Sequence, residues 1–492
     1  MSGKKILVVG AGVAGLSAAV RLRIQGHEVS VYERNSHPGG KLAELQLGPY
    51  RFDLGPSLFT MPQYIDDLVK SARKNPEDYL TYHRKKTVCN YFWEDGTRFG
   101  ASGDTDEFIS QAAQTFVESE RSLNRYMSNS KLKFDATASL FLEKSLHRLM
   151  TYLSFDTVRG IISIPKLNLF SSLHQTNQTY FKNEKLVQLF DRYATYNGSS
   201  PYKTPGIMTM IPHLEQFFGT YYPEGGMHQI AQALYKLAVD TGVEVHFDTD
   251  IERIRVENKK VRGIETSTES IDADVVVSNM DVVPTYRYLL KDQPAPEKTL
   301  AQERSSSAMI FYWGINGSFP ELDLHNIVFS EDYKEEFDAI FNRKELQADP
   351  TIYINITSKE DASDAPENHE NWFVMINVPG NTGQDWDSII PKAKELIIRK
   401  LSRVLKRDIE PLIQESHALD PRGIEANTRS FQGSLYGAAS NDRNAAFLRH
   451  PNFSKAIKGL YFCGGSVHPG GGIPLCMMSG KITSEIIADD YR

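Results

Sequence analysis

Three glycines near the N-terminus have the spacing of a phosphate-binding turn. Gly10, Gly12 and Gly15 follow the apolar run Ile6-Leu7-Val8-Val9, which suits a central parallel strand buried on both faces. In such a turn the first glycine permits the tight bend and the second lets a pyrophosphate approach the backbone. The third lets helix and strand pack closely. These residues therefore predict recognition of a dinucleotide at a helix N-terminus.

An acid follows the glycines at the distance that dinucleotide recognition requires. Apolar residues with helical spacing continue from Gly15 to Gly26, and a second strand, Val29-Ser30-Val31-Tyr32, ends at Glu33. Strand, glycines, helix, strand and terminal acid together form a βαβ fingerprint, which is more specific than the glycines alone. Glu33 is placed to accept hydrogen bonds from ribose hydroxyls, and its charge disfavours a 2′-phosphate. The fingerprint predicts FAD or NAD rather than NADP.

Two further segments indicate a family. Gly39-Gly40-Lys41 follows the acid, and Phe52-Asp53-Leu54-Gly55-Pro56-Ser57 comes next. With an acid at the end of the second strand, a G-G-[RK] turn and a D-x-G turn, the chain resembles the superfamily of FAD-dependent amine oxidases and carotenoid desaturases. The resemblance implies FAD as the cofactor. The cofactor contacts that it implies in this region are Gly40, Lys41, Pro56 and Ser57.

The C-terminal end contains another strand, glycine-rich loop and helix. Residues 459–462 are apolar, residues 463–472 are rich in glycine, and Met477 to Ile487 has helical spacing. Because glycine permits positive φ and close backbone approach to a planar ring, we expect both chain ends to build one site. The run His468-Pro469-Gly-x-Gly-x-Pro is similar to that of carotenoid (phytoene-type) desaturases, and closest to the hydroxycarotenoid 3,4-desaturase branch. The cofactor contacts implied for this loop are Gly465, Gly472, Ile473 and Pro474.

A third cofactor-binding segment lies in the middle of the chain. Residues 222–227 open a helix, strands follow, and Ala273 to Asn279 is a buried strand that ends in small polar residues. By resemblance, the backbone of Ile251 meets the adenine side and Asn279 lies at the rim of the FAD site. For Asn279, a cap at the end of the strand is the alternative.

The predicted fold class is α/β. We expect a Rossmann-type FAD-binding domain that is discontinuous in sequence and consists of residues 1–75, 222–290 and 455–492. Residues 76–221 are expected to form a helical cap and part of a substrate domain. Residues 291–454 are expected to form a mixed-sheet substrate-binding domain over the reactive face of the flavin.

The stretch from Phe134 to Leu173 combines apolar residues at helical spacing with a basic fringe. The basic residues are Lys133, Lys144, His147, Arg148, Arg159 and Lys166. This composition is typical of a membrane-binding surface, and a helical cap packed on the rest of the protein is the other interpretation. The two interpretations are compatible, because a helical cap can also contact lipid.

The N-terminal segment does not have the pattern of a signal peptide, because glycines interrupt its apolar run. No stretch approaches the roughly 18 apolar residues of a membrane-spanning helix. We therefore expect a cytoplasmic protein that rests on the inner face of a membrane.

Length and composition restrict the function classes. The 492 residues, 40% hydrophobic and 24% charged, are ordinary for a folded protein and exclude a disordered or collagen-like chain. The formal net charge of −7 disfavours nucleic-acid binding. Cys89, Cys463 and Cys476 are too few and too scattered for a disulfide framework or a zinc site, so no metal and a reducing compartment are predicted.

The resemblance implies desaturation of a carotenoid, most specifically at C-3,4 of a 1-hydroxycarotenoid, with oxygen or a quinone as electron acceptor. Hydride loss next to a polyene leaves a delocalised cation, so a strong general base is not obligatory. No Ser-His-Asp or Cys-His set stands out in the sequence. His468 is the one weak candidate for a catalytic residue, and a turn residue bonded to the backbone is the alternative.

Two other functions stay open at this point. A phytoene or diapophytoene desaturase that acts in several steps shares every cofactor motif. A non-enzymatic lipid-binding protein, similar to the GDP-dissociation inhibitors of small GTPases, keeps the N-terminal glycines but uses no flavin. The intact Glu33, Gly39-Gly40-Lys41 and 465–474 elements disfavour this binder. The visible spectrum before and after addition of FAD discriminates between the two classes.

Overall fold

Strands from distant parts of the chain form the sheets of this protein. The computed structural model describes residues 3–148, 151, 167–442 and 447–492. The strands are β1 (Lys5–Val9), β2 (Glu28–Tyr32), β3 (Glu44–Leu47), β4 (Tyr50–Asp53), β5 (Tyr82–Arg84), β6 (Thr87–Phe92), β7 (Arg98–Ser102), β8 (Tyr221–Pro223), β9 (Glu244–His246), β10 (Ile251–Glu257), β11 (Lys260–Thr266), β12 (Ser270–Asp272), β13 (Val275–Ser278), β14 (Ser307–Asn316), β15 (His325–Val328), β16 (Ile352–Ile356), β17 (His369–Val378), β18 (Ile413–Leu419) and β19 (Leu460–Phe462).

Helices cover the faces of these sheets. The α-helices of six or more residues are Val13–Ile24, Gln63–Ser71, Thr105–Phe116, Glu120–Phe141, Leu173–Gln178, Glu184–Asp191, His228–Asp240, Tyr333–Asp338, Trp386–Leu405, Pro421–Thr428 and Ile473–Asp490. Shorter helical turns connect them, among them the π-helical turn Leu214–Phe218.

A parallel sheet brings the two chain ends and the middle of the chain together. Its order within the described residues is β19-β13-β1-β2-β9. Leu7 of β1 lies beside Val276 of β13, and Val276 lies beside Leu460 of β19. All three side chains are buried, as expected for central strands covered on both faces. The predicted α/β class is confirmed.

Two helices from opposite ends of the chain pack closely on this sheet. A Cβ atom on Gly480, in the helix Ile473–Asp490, would lie 2.7 Å from the carbonyl oxygen of Ala14 and 2.9 Å from the nitrogen of Ala18. The missing side chain therefore sets the distance to the helix Val13–Ile24, which begins at the glycine turn.

The largest sheet of the described residues has two different faces. Its order is β18-β14-β17-β16-β15-β6-β7, antiparallel except for the parallel pair β15 and β6. One face carries large apolar side chains, Trp313 and Trp372 among them, and packs on the helix Trp386–Leu405. The inner face meets the β3–β4 hairpin, where Tyr312 contacts Phe52, and the helical residues of the cap.

The cap region departs from the sequence prediction at one residue. Lys133 was expected on a basic fringe, but its side chain is buried and its Nζ donates to the Gly206 carbonyl at 3.2 Å and to Thr209 Oγ1 at 2.6 Å. Burial lowers the Lys133 pKa to about 8. The prediction was wrong because helical spacing does not specify which polar residue finds a buried partner.

The structure describes 23 of the 40 residues of the predicted membrane-facing stretch, Phe134 to Leu173. Residues 149–150 and 152–166, which include Arg159 and Lys166, lie outside the described residues. In the described part, Leu140, Leu142 and Leu146 are buried. None of the described helices is long and apolar enough to span a bilayer.

The packing of the helix Ile473–Asp490 on the helix Val13–Ile24 is tested by Gly480→Ala. In an isolated helix this change is stabilising by roughly 1 kcal/mol. Here we expect the melting temperature to fall, because an overpacked contact costs about 1–3 kcal/mol. Lys481→Ala, a neighbouring change on the same helix, is the control and is expected to leave the melting temperature nearly unchanged. Equal melting temperatures for wild type and Gly480→Ala would contradict the close packing.

Candidate active site

The glycine turn after β1 brings the backbone close to neighbouring groups. Gly10 has a φ of +100°, and a Cβ on Gly15 would lie 2.2 Å from the Gly10 carbonyl oxygen. The helix Val13–Ile24 begins here, and among the described residues it has no side-chain cap and no acid in its first turn. Its first N–H groups and its positive end therefore suit a phosphate.

Asn279 lies beneath this turn. Its backbone N–H donates to the Val9 carbonyl at 2.8 Å, and its Nδ2 donates to the Gly10 carbonyl at 3.3 Å. A Cβ on Gly12 would come within 2.6 Å of Nδ2, and a Cβ on Gly464 would come within 2.9 Å of Oδ1. The side chain thus lies between the N-terminal glycine turn and the C-terminal loop and positions both. Asn279 therefore acts as the cap at the end of its strand, the alternative given by the sequence, and also contacts a second loop.

Glu33 is bonded directly to the glycine turn. Its carboxylate accepts the N–H of Ala11 at 2.8 Å and the N–H of Asn35 at 2.9 Å, and the residue is buried. Each carboxylate oxygen has a second acceptor site, so both can still accept a ribose hydroxyl. The acid is therefore oriented by the same turn whose N–H groups suit the phosphates.

The Gly39–Lys41 segment joins the turn to a distant loop. The Gly39 N–H donates to the Ala11 carbonyl at 2.9 Å, and Gly40, with a φ of +60°, lies against Gly12. Lys41 Nζ donates to the carbonyls of Ser434 and Leu435 at 3.0 and 2.8 Å. Burial lowers its pKa to about 8. Lys41 therefore holds the 434–435 backbone next to the glycine turn.

The segment with Pro56 and Ser57 connects the cofactor side with the seven-stranded sheet. A Cβ on Gly55 would lie 1.9 Å from the Lys41 carbonyl oxygen, so this segment packs directly on Lys41. The Ser57 Oγ lies 2.7 Å from the Oη of Tyr353, which belongs to β16. Pro56 and Ser57 thus lie between the proposed flavin site and the inner face of the sheet.

The C-terminal loop encloses the other side. The Cys463 N–H donates to the Ser278 carbonyl at 3.0 Å, and a Cβ on Gly465 would lie 3.2 Å from the Gly471 Cα. Gly472, with a φ of +103°, directly precedes the helix Ile473–Asp490, in which Pro474 occupies the first turn. A Cβ on Gly472 would meet no described atom within 4 Å. The open space beside Gly472 thus lies at a second helix N-terminus.

His468 is part of the loop scaffold. Its ring Nε2 lies 2.8 Å from the Lys144 carbonyl, to which it donates, and its own carbonyl accepts from Asn452 Nδ2 at 2.9 Å and Ser479 Oγ at 3.0 Å. The residue is buried, and burial lowers its pKa to about 4. These bonds favour the turn-residue interpretation over a role as general base.

Ile251 lies apart from the two glycine loops. It begins β10, pairs with Thr266 of β11, and is buried in the apolar cluster that contains Leu7, Val9 and Tyr32. Through this cluster it borders the strands β1 and β2 that carry the turn and Glu33. The predicted adenine contact of its backbone stays a prediction.

The structure adds residues that the sequence did not indicate. A Cβ on Gly471 would lie 2.9 Å from the Tyr436 ring, so Tyr436 packs directly on the C-terminal loop. Gly433 and Gly437, which flank it in the sequence, are a partial signal for it. Tyr353 and His325, by contrast, lie in ordinary alternating strands that carry no such signal. Among the described residues, no group of three metal-ligating side chains is placed to hold a metal ion.

These observations fit a dinucleotide with a planar ring. Gly10, Gly12 and Gly15 make the backbone approachable at one helix N-terminus, and Glu33 is bonded to that turn. Gly472 leaves open space at the other helix N-terminus. The sequence model of the family of flavin containing amine oxidoreductases matches residues 13–488. The chain belongs to this family.

Individual proteins show more specific similarities than the family does. The chain is 57% identical over 484 residues to a 1-hydroxycarotenoid 3,4-desaturase of Flavobacterium sp. (strain P99-3), covering 98% of this chain and 99% of that protein. It is 31% identical to a 4,4'-diapolycopene oxygenase of Methylomonas sp, with 99% of both chains covered. A solved oxidoreductase of Methanosarcina mazei shares the fold, with a TM-score of 0.66, 16% identity and coverage of 99% and 100%. As a family member, this protein is an FAD-dependent oxidoreductase.

Glu33→Gln tests the role of the acid in the family's cofactor site. The amide keeps the size but replaces one acceptor oxygen with a donor, which then opposes the N–H of Ala11 or Asn35. Since hydrogen bonds to charged groups contribute about 1.5–3 kcal/mol, we expect the dissociation constant for FAD to rise about tenfold or more. Flavin fluorescence during titration of deflavinated protein measures it.

Glu28→Gln, at the exposed start of β2, is the matched control and is expected to bind FAD like the wild type. The assignment of Glu33 fails if both variants have the wild-type dissociation constant.

Proposed function

We propose that this protein introduces the C-3,4 double bond into a 1-hydroxycarotenoid during carotenoid biosynthesis. The observation that carries the proposal is the 57% identity, over nearly the whole of both chains, to the Flavobacterium 1-hydroxycarotenoid 3,4-desaturase. The relatives named as oxygenases of diapocarotenoids are only 30–32% identical to this chain, so an oxygenase activity is less well supported. A multistep phytoene or diapophytoene desaturase remains the main enzymatic alternative.

The residues around the site can exclude water from the reaction. Bound FAD supplies the hydride acceptor in this class of chemistry. Lys41 holds the 434–435 backbone in place, and Tyr436 covers Gly471. On the opposite side the inner face of the seven-stranded sheet presents the apolar cluster of Tyr312, Phe373 and Ile310. A substrate cation delocalised along a polyene would be held away from solvent by these groups.

Proton loss from such a cation needs little help from the protein. His468 donates its Nε2–H to the Lys144 carbonyl and is neutral near neutral pH. We therefore assign it to positioning the C-terminal loop rather than to taking the proton. The acceptor of the electrons, oxygen or a quinone, belongs to the same proposal and is identified by mixing the anaerobically reduced protein with each.

Product analysis tests the desaturase proposal. The FAD-loaded protein is incubated with liposomes that contain a 1-hydroxycarotenoid saturated at C-3,4, and in parallel with phytoene and diapophytoene. We expect the hydroxylated carotenoid to lose two hydrogens, with a longer-wavelength absorption because the polyene is extended, and the other substrates to be unchanged. Mass spectrometry and the visible spectrum record both effects.

The alternatives have different outcomes in the same assay. Products from phytoene or diapophytoene alone would indicate the multistep desaturase. Absence of flavin bands and of any product would indicate a lipid-binding protein without redox function.

Peripheral membrane association is part of the proposal, because the substrate is an apolar rod that dissolves in a bilayer. An aromatic patch of Phe134, His213, Phe217 and Phe218 is supporting evidence. Its rings lie 4.7–5.4 Å apart in successive pairs, and Phe217 is 57% exposed. Arg84 lies beside it and donates to the Gln216 carbonyl. An exposed aromatic side chain next to a cation suits a lipid interface.

Phe217→Ser is expected to reduce binding to liposomes of anionic phospholipid about tenfold, since burial of a phenyl group contributes roughly 1.5–3 kcal/mol. Co-sedimentation measures the bound fraction. Tyr288→Ser, at an aromatic residue that is 63% exposed elsewhere, is the matched control and should bind like the wild type. If both variants bind liposomes equally, the aromatic patch does not contact the membrane.

A further inference from the structure

Polar side chains cluster on the inner face of the seven-stranded sheet. Tyr91 of β6 lies beside Ile327 of β15, and Ile327 lies beside Tyr353 of β16, so the three side chains share one face. His325 precedes Ile327 by two positions and therefore points to the same side. This face is directed away from the helix Trp386–Leu405 and toward the segment that contains Ser57.

A hydrogen-bonded chain favours one tautomer of His325. The Asn355 Nδ2 donates to the Leu324 carbonyl at 3.0 Å, which orients the amide so that Nδ2 also faces His325 Nδ1 at 3.3 Å. With Nδ1 unprotonated, its single lone pair accepts from the closer donor, the Tyr353 hydroxyl at 2.7 Å. The Asn355 contact at 3.3 Å fits this tautomer, because the amide N–H then meets no ring proton. His325 is therefore a neutral ring that carries its proton on Nε2.

The proton on Nε2 has no acceptor in the described part of the chain. His325 is 3% exposed, and its Nε2 lacks any hydrogen-bond partner there. Burial lowers its pKa to about 3, which keeps the ring neutral at physiological pH. A buried N–H donor without an acceptor costs about 1–3 kcal/mol. Such a group calls for an acceptor that the folded chain does not itself supply.

Tyr91 adds a second polar group of the same kind. The residue is buried, and its hydroxyl has no hydrogen-bond partner in the described ranges apart from the Cys89 thiol, which is a weak one. Asn326 of β15 lies beside Asn90 of β6 and Ile327 lies beside Tyr91, so the residues that precede the first pair, Cys89 and His325, approach each other on the face of Tyr91. Tyr91 and His325 are therefore close neighbours on this face.

The adjacent charged groups are already paired and do not compete for a ligand. The Glu215 carboxylate accepts from Arg192 Nη2 at 3.1 Å, from the Tyr193 hydroxyl at 2.6 Å, and from Tyr196. The Arg192 guanidinium lies 5.2 Å from the centre of the Tyr91 ring. Because the Glu215 carboxylate compensates this charge, the polar groups of this face that are left for a ligand are neutral. The cluster thus suits a neutral oxygen ligand better than a cation.

The position of the cluster relates it to the reacting end of the substrate. Ser57 connects Tyr353 to the segment packed on Lys41, at the cofactor side. In a 1-hydroxycarotenoid desaturated at C-3,4, the hydroxyl group is separated from the reacting carbons only by C-1 and C-2. The hydroxyl must therefore lie close to the flavin, next to whatever polar groups border it.

We propose that the Nε2–H of His325 and the hydroxyl of Tyr91 bind the 1-hydroxyl group of the carotenoid and make these two residues determinants of substrate specificity. The alcohol oxygen accepts from His325, and the alcohol proton is donated to the Tyr91 oxygen. This inference rests on the proposed function. A site built to bind a hydroxyl discriminates strongly against a substrate that lacks it, because its polar groups are then left unpaired.

The test compares two substrates in four proteins. Wild type, His325→Leu, Tyr91→Phe and Tyr461→Phe are assayed with the 1-hydroxycarotenoid and with the same carotenoid lacking the hydroxyl. Tyr461→Phe is the control, because it removes a hydroxyl that donates to Asp490 and belongs to β19 of the parallel sheet, not to this face. For His325→Leu and Tyr91→Phe we expect kcat/KM for the hydroxylated substrate to fall at least tenfold, mainly through KM. We expect kcat/KM for the other substrate to change little.

Other outcomes distinguish failure of this inference from failure of the proposed function. Equal losses for both substrates would assign His325 and Tyr91 to scaffold and overturn the inference, and so would unchanged preference for the hydroxyl. A wild type that converts neither substrate would instead refute the proposed function. His325→Gln, which keeps an N–H donor at a similar reach, should restore much of the preference, and FAD content verifies that each variant is folded.

Discussion

The close approach of Asn279 to the glycine turn holds the cofactor side of this protein together. Its side chain is bonded to the Gly10 carbonyl and lies within 2.6 Å of the place where a Gly12 Cβ would stand. On its other side it faces Gly464. Because β13 lies between β1 and β19, one side chain fixes the separation of two loops from opposite ends of the chain. Side chains at these glycines would push the loops apart, so the sheet order and the glycines depend on each other.

The seven-stranded sheet shows how one element can serve packing and chemistry at once. Its outer face is apolar and is covered by a helix, whereas its inner face carries Tyr91, Tyr353 and His325 among aromatic residues. Side chains alternate along each strand, so a shift of the register by one residue would exchange the two faces. The long β14–β17 ladder, paired over ten residues from Ser307 to Asn316, stabilises that register.

Family membership and specific activity depend on different parts of the molecule. The solved oxidoreductase with 16% identity shares the fold, which shows that the framework tolerates extensive substitution. The cofactor side is built from backbone groups and glycines, so it depends on conformation more than on side-chain identity. The inner face of the sheet depends on particular side chains. Differences in substrate between family members are therefore expected on that face.

The sequence by itself determined the α/β class, the cofactor fingerprint and the participation of both chain ends. These features are local: apolar runs, glycine spacing and Glu33 lie within short segments, and their conformations follow from sterics and hydrogen bonding. Only the tertiary structure decided that Lys133 is buried, that Lys41 holds the carbonyls of Ser434 and Leu435, and that His468 bonds to Lys144. It also connected Ser57 to His325 through the hydroxyl of Tyr353. Each of these contacts joins groups far apart in sequence, and the periodicity of a strand shows which residues share a face but not what lies opposite them.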